Sequence, residues 1–276
     1  MSIDPTAYAD PSYFKFSLQN AMIVGIGGGA QASKFQICEI LKNKFGGDNK
    51  TKVAILSLND YYRELTTPEE KKLFDSGEYN LDHPDAFDFD LLESTLKLLL
   101  QRQPVDIPVW DHSKHQKIAT RRIEAVDIIL LEGTLVLYSK KIRDLMFMKV
   151  FVDVDSDQRL ISRVKKLTEG DGRIMSIKDV LNEYVNFVKP MFDEFIAPSK
   201  KYSDIIIPRG YKNTAALQVL EHHLDDHLRA QAKNSSSSMG RTESNDTTGS
   251  SIPTIKHHHT DILASSAESK YKDIPE

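Results

Sequence analysis

Residues 21–35 read AMIVGIGGGAQASKF, and this stretch decides the fold. Ala21 to Gly25 is a short apolar run of the kind that forms a buried strand. A glycine-rich turn follows, then a helical pattern from Lys34 to Phe45. Strand, glycine turn and helix in that order bring backbone N–H groups and the positive end of a helix to one point, which suits phosphate. The full phosphate-cradling pattern is GxxxxGK[ST], with the lysine for the β- and γ-phosphate oxygens and a hydroxyl for Mg²⁺. Gly28 opens the pattern and Lys34 supplies its lysine, but Ser33 stands at the last glycine and Phe35 at the hydroxyl. A left-handed Ser33 would cost about 1–2 kcal/mol, and Phe35 cannot ligate a metal. Taken alone, a plain strand-to-helix turn explains the stretch about as well as a phosphate site does.

The alternation of strand and helix continues along the chain. Lys52 to Ser57 (KVAILS), Asp127 to Leu131 (DIILL), Lys149 to Val154 (KVFVDV) and Asp204 to Pro208 (DIIIP) are continuous apolar strands. Helical patterns fill Phe89 to Arg102, with Phe89, Leu92, Leu96 and Leu99 on one face, and also Asp157 to Leu167, Ile177 to Phe195 and Thr214 to Ala230. Apolar strands separated by helices predict a parallel sheet covered on both faces. Ligands of such sheets bind beyond the C-terminal ends of the strands. Cys38, on the first helix, is expected in the core.

Composition bounds the function. The 276 residues hold 36 Lys and Arg against 40 Asp and Glu, a net charge of −4, so no general basic field exists to hold nucleic acid or an anionic membrane. A single cysteine excludes an intrachain disulfide and a multi-cysteine zinc site, and it fits a reducing, cytoplasmic compartment. No apolar run approaches the ~18 residues of a membrane span. The first residues, MSIDPTAYADPSYFKF, lack the pattern of a secretory signal. From Gln231 onward Ser, Thr, Asn and Gly dominate, which predicts a disordered tail over 231–276 behind a domain at 21–230 and an extension at 1–20. His257, His258 and His259 in that tail read as a solvated patch.

Further segments give the domain a family likeness. Tyr62-Arg63-Glu64-Leu65-Thr66 follows the second strand, and NLDHPDAFD spans Asn80 to Asp88. Then come IPVWD at Ile107 to Asp111 with His115, LEGTL at Leu131 to Leu135, and Arg159-Leu160 with Arg163. Tyr184 with FVKP at Phe187 to Pro190, KKY at Lys200 to Tyr202 and IIPRG at Ile206 to Gly210 complete the series. In order and spacing, from about Ala21 to Ala230, these blocks resemble the uridine–cytidine kinase family. The resemblance implies an α/β, three-layer P-loop NTPase fold with a central parallel sheet, a small β-hairpin nucleoside-binding region and a helical lid. It implies transfer of a phosphoryl group from ATP, with Mg²⁺, to the 5′-hydroxyl of uridine or cytidine. It also implies a homo-oligomer, typically a tetramer, or an assembly with an active paralogue.

The likeness carries roles residue by residue. Gly27, Gly28, Gly29, Ala30, Gln31, Ala32, Ser33, Lys34 and Phe35 would form the ATP loop, with Lys34 at the β/γ-phosphates. Glu132 would serve the metal, and Asp82 the ribose hydroxyls. His115 would read the pyrimidine edge, with Tyr62, Trp110, His112, Asn59 and Glu183 around the nucleoside. Arg163 and Arg173 would close a lid over the phosphates. Each residue has a plainer reading beside it. Lys34 could be solvated, Glu132 a helix cap, Asp82 a turn former, His115 a surface histidine, and both arginines solvent-facing.

Departures from the family pattern cluster at catalysis. The family's general base, an aspartate just after the second strand, is replaced by Asn59, and loss of such a base costs on the order of 10²–10⁴-fold. Asp60 is adjacent, but in an extended segment neighbours point opposite ways, so its substitution requires a kink. Leu81 and His112 stand where aromatic residues are usual, Lys166 and Asp171 at lid arginines, Glu183 at a glutamine, and Trp110 at a tyrosine. Two readings stand: a kinase of altered, reduced activity using Lys34, Glu132 and Asp60, or an inactive binding or regulatory subunit. A third, a related kinase of another small metabolite, is disfavoured by the NLDHPDAFD block.

Overall fold

The computed structural model describes residues 20–47, 51–112, 114–169 and 174–239. The expected N-terminal extension, Asp171, Arg173 and the tail from 240 on, with its three histidines, lie outside the described residues. The strands are β1 (Met22–Gly28), β2 (Val53–Ser57), β3 (Val105–Asp111), β4 (Gln116–Ile123), β5 (Ile128–Glu132), β6 (Met148–Asp153) and β7 (Ile205–Pro208). The helices that matter below are α1 (Lys34–Gly46), α2 (Pro68–Ser76), α3 (Phe89–Leu100), α4 (Lys140–Arg143), α5 (Ser156–Glu169), α6 (Ile177–Glu183) and α7 (Thr214–Met239).

Five strands form one parallel sheet in the order β2-β5-β1-β6-β7, and β3 pairs antiparallel with β4 as a separate hairpin. The continuous apolar character of β1 and β5 follows from burial on both faces. On one face Ile23, Ile129 and Leu131 pack with Leu92, Leu96 and Leu99 of α3. On the other, Val24, Ile26, Ile128 and Leu130 meet Ile37, Cys38 and Leu41 of α1 and Leu217, Leu220 and Leu224 of α7. Burying each such leucine or isoleucine contributes roughly 1.5–3 kcal/mol. This is the expected three-layer arrangement, with Cys38 fully buried.

Three local features differ from the sequence reading. Leu58–Tyr61 is a 3-10 turn capped by Ser57, not an extended segment, so Asn59 and Asp60 do not point to opposite sides. The helix expected over 177–195 bulges twice into π geometry, at Tyr184–Val188 and Phe192–Ile196. Each bulge ends two residues before a proline, Pro190 or Pro198, whose ring clashes with the preceding turn and whose nitrogen has no proton to donate. The last helix also runs on to Met239, past the boundary expected at Gln231. Among the described residues no helix is long and apolar enough to cross a membrane.

Candidate functional site

The loop from β1 into α1 lies beyond the C-terminal ends of β1, β5 and β6. Gly28 has φ +144°, and a Cβ there would sit 2.5 Å from the Val152 carbonyl oxygen of β6, so only glycine fits. Gln31 (φ 62°) and Ser33 (φ 65°) are both left-handed, so the strain foreseen at Ser33 is present. Ser33 starts α1 without a side-chain cap. The Lys34 ammonium is buried and donates to the Gly29 carbonyl at 2.9 Å. Burial pulls its pKa down, Glu132 opposes that shift, and Arg159 adds to it. Arg159 lies beneath Gly29, where a Cβ would come within 2.4 Å of its Nη1; it donates from Nε to the Val154 carbonyl and lies over the Phe192 ring.

Glu132 ends β5 in register with Ser57 of β2, and the Ser57 hydroxyl donates to its Oε1 at 2.5 Å. Ser57 also borders a cavity of about 440 Å³ lined by Phe35, Asp60, Lys42, Arg121 and Arg122. Burial lifts the Asp60 carboxyl above its ordinary value, and Arg121 and His112 pull it back. The Mg²⁺ that the family likeness implies does not fit this end of the site. Phe35 presents a half-exposed apolar ring where a hydroxyl ligand belongs, and Asn59 supplies no carboxylate. Glu132, with one oxygen already bonded, and Asp60, whose ionisation burial disfavours, are the anionic groups left there. Among the described residues no three His, Cys, Asp or Glu side chains are grouped to hold a metal ion.

The hairpin β3–β4 and the segment after β2 build a second, aromatic compartment. Tyr62 stacks on Phe87 with centroids 4.5 Å apart, fixed by a bridge between their backbones. His115, at φ 46°, is buried against Tyr62 (5.1 Å), Trp110 (5.1 Å), Phe74 (5.3 Å) and Tyr79 (6.2 Å). Its Nε2 donates to the Arg63 carbonyl at 2.9 Å, which leaves Nδ1 as an acceptor. Burial depresses its pKa and favours the neutral ring. His112 stands edge-on to Tyr62 at 6.1 Å and is exposed. The Trp110 Nε1–H is buried with no hydrogen-bond partner.

Asp82 joins the two compartments. Its N–H donates to Asn80 Oδ1 at 3.0 Å, fixing a tight turn. Burial raises its pKa; Arg163 and Lys34 oppose that shift, and Glu183 reinforces it. Arg163 of α5 donates from Nη2 to Glu183 of α6 at 3.1 Å, and its Nε is buried without a partner. Burial raises the pKa of the Tyr62 hydroxyl and Asp82 adds to that shift, so the aromatic wall and the charged cluster share one field. Lys34, Glu132, Asp82, Arg163 and Glu183 thus converge, with Tyr62, Trp110 and His115 beside them. Asn59 lies on the exposed turn, its N–H donating to Ser57 Oγ at 3.3 Å.

Sequence reasoning did not single out Ser57, Arg121, Phe74 or Tyr79. The pairing of Ser57 with Glu132 depends on β2 lying beside β5, which no local pattern reveals. Phe74 and Tyr79 flank Gly77, the left-handed stop of α2, and that stop was the available signal for a chain reversal bringing both rings back.

The phosphoribulokinase / uridine kinase family model matches residues 23–216. The uridine-cytidine kinase 2-B of Danio rerio is 41% identical over 219 residues, covering 77% of this chain and 82% of that protein. The uridine kinase-like protein 4 of Arabidopsis thaliana is 39% identical over 223 residues, covering 80% of this chain and 46% of its own length, so this chain spans about half of that relative. Phosphoribulokinase from Rhodobacter spheroides superposes with a TM-score of 0.52 at 12% identity, over 69% of this chain and 70% of that one. At that identity the likeness concerns the fold alone.

Proposed function

Because this chain belongs to the phosphoribulokinase / uridine kinase family, we propose that it binds uridine or cytidine beside ATP and slowly transfers the γ-phosphoryl group to the nucleoside's 5′-hydroxyl. The observation that carries this reading is convergence: Lys34, Asp82, Arg163 and Glu183 come from four segments to one cleft, next to a histidine enclosed by aromatic rings. Asp82 accepts the ribose hydroxyls. The His115 Nδ1 acceptor meets an N–H on the pyrimidine edge, and Tyr62, Trp110 and His112 wall the base. Lys34, released from the Gly29 carbonyl, and Arg163, with Arg173 of the lid, meet the phosphates. Positioning and fixed charge supply most of the acceleration in phosphoryl transfer, so a site with these parts retains some of it.

The proton of the 5′-hydroxyl is the weak point. An amide at Asn59 has no basicity to accept it, which removes on the order of 10²–10⁴-fold in rate unless another group serves. Asp60, on the same 3-10 turn, is the nearest carboxylate along the chain. Its raised pKa makes it a better acceptor than an ordinary aspartate. The products are UMP or CMP and ADP, with the hydroxyl proton passed to Asp60. The test is incubation with ATP and uridine or cytidine, with and without Mg²⁺, and chromatography of UMP or CMP, with Lys34→Ala as contamination control. Product that persists in Lys34→Ala, or none from the wild-type chain beside an active family member, overturns the kinase reading.

A second reading, a nucleoside-binding subunit without turnover, is favoured by Phe35 and Asn59. It predicts uridine binding without product, and assembly with an active paralogue in place of the homo-oligomer. Either form acts in the cytoplasm.

A further inference from the structure

The phosphate end of the cleft departs from a metal site in a consistent direction. Phe35 is in the first turn of α1, next to Lys34, with its ring about half exposed, and it lines the same cavity as Ser57 and Asp60. Ser57 in turn holds one oxygen of Glu132, which with Asp60 would be the acidic side chains facing a metal. The ring therefore stands where a hydroxyl ligand would be and offers no hydrogen-bond partner to the waters that Mg²⁺ keeps when few protein donors are present. Around the cavity, Lys42 and Arg121 outnumber Asp60, Arg122 being paired with Asp106 and Glu124. Behind the loop stand the ammonium of Lys34 and the guanidinium of Arg159, both buried. Free ATP is more negative than its Mg²⁺ complex and needs more cations from its host. An apolar ring at the metal position with positive side chains on both sides matches the free nucleotide.

We propose that this cleft binds a nucleoside triphosphate without a divalent metal, with Phe35 filling the metal's place and the side chains of Lys34, Arg159 and Arg121 supplying the positive charge. The inference rests on the nucleotide-site reading above and deepens it. It concerns binding and is independent of whether turnover follows.

The experiment is calorimetric titration of the full chain with ATP, once in Mg²⁺ and once in EDTA, with the ATP-induced rise in melting temperature as a second readout. The expected result is equal affinity in the two buffers, or tighter binding in EDTA. Binding at least about tenfold tighter in Mg²⁺, roughly 1.4 kcal/mol, overturns the inference while leaving the nucleotide site standing. Absence of ATP binding in both buffers overturns the nucleotide site and the inference with it. Phe35→Ser supplies the reciprocal test: on an exposed position of α1 it is expected to fold, and it should acquire a Mg²⁺ preference of about tenfold. A variant that stays indifferent to Mg²⁺ shows that the ring does not displace the metal, which also overturns the inference.

Discussion

Replacing Asp82 by Asn removes a charge and keeps the shape. The Asn80 turn, which uses the Asp82 N–H, is untouched. In the wild-type cleft, burial is the largest influence on Asp82 and outweighs the help of Arg163 and Lys34, so ionisation there weakens the fold. The amide escapes that cost, and the unliganded variant should melt higher at pH 7. A protein of this size moves about 2–4 °C per kcal/mol. Nucleoside binding should move the other way. Hydrogen bonds to a charged acceptor contribute about 1.5–3 kcal/mol and neutral ones about 0.5–1.5. Weakening two ribose contacts therefore costs about 2–3 kcal/mol, or roughly 30- to 150-fold in Kd at 1.4 kcal/mol per decade. Uridine titration by calorimetry and thermal melts of the unliganded protein measure both quantities on one preparation. Unchanged affinity would refute the assignment of the ribose to Asp82. A lower melting temperature would refute the electrostatic argument and return Asp82 to a turn-forming role.

The same carboxyl sets a pH dependence, because its folded pKa lies above the ordinary 3.8. The cost of its ionisation is absent below 3.8 and fully present above the raised value, so the melting-temperature gap between Asp82→Asn and wild type should close as the pH is lowered toward 4; a constant gap would contradict this. Gly133→Ala would place a Cβ 2.4 Å from Leu58 Cβ, at the start of the turn bearing Asn59 and Asp60. Such overpacking costs about 1–3 kcal/mol, and melts that match wild type would show that the turn yields freely. If Asp60 takes the hydroxyl proton, Asp60→Asn lowers the rate of UMP formation by about 10²-fold or more and abolishes the acidic limb of the pH–rate profile. Equal rates in the two proteins would exclude it as the base.

The sheet was legible because its strands are apolar on both faces. AMIVG, DIILL and KVFVDV are too short to cross a membrane as helices and find their burial between helices of the same domain, and the glycine turn marked which strand end to inspect. The π bulges were not legible from periodicity, since a helical stripe continues across them. The prolines at 190 and 198 carried that information, through their missing protons. The turn at Leu58–Tyr61 escaped for the opposite reason: it is short, and the Ser57 hydroxyl that caps it belongs to the preceding strand. The aromatic enclosure of His115 needs Phe74 and Tyr79 to fold back from α2, a tertiary fact. The histidine's spacing from IPVWD placed it on the hairpin but could not bury it.

Physical cost separates the two ends of the site. Phe35 and Asn59 lie on exposed surface, and exchanging them for other residues disturbs no core contact. Stability therefore neither demands nor forbids them, and the phosphate end was free to change while the fold stayed intact. Asp82 is different. Its ionisation is opposed by burial, and Glu183 adds like charge beside it. Arg163 hides an Nε–H with no acceptor, a further loss of about 1–3 kcal/mol by the usual accounting for a buried unmade bond. A chain indifferent to ligands would fold better with a neutral side chain at Asp82 and an acceptor for the Arg163 Nε–H. Strain that the Arg163–Glu183 ion pair offsets only in part is best explained by a molecule that completes the site. Here that molecule must bring hydroxyls for Asp82 and an acceptor for the Arg163 Nε–H; a sugar supplies the first, and the phosphates it carries or receives supply the second. The nucleoside end of the cleft is thus the part of this protein where the physics points most firmly to a ligand, whatever rate the phosphate end still achieves.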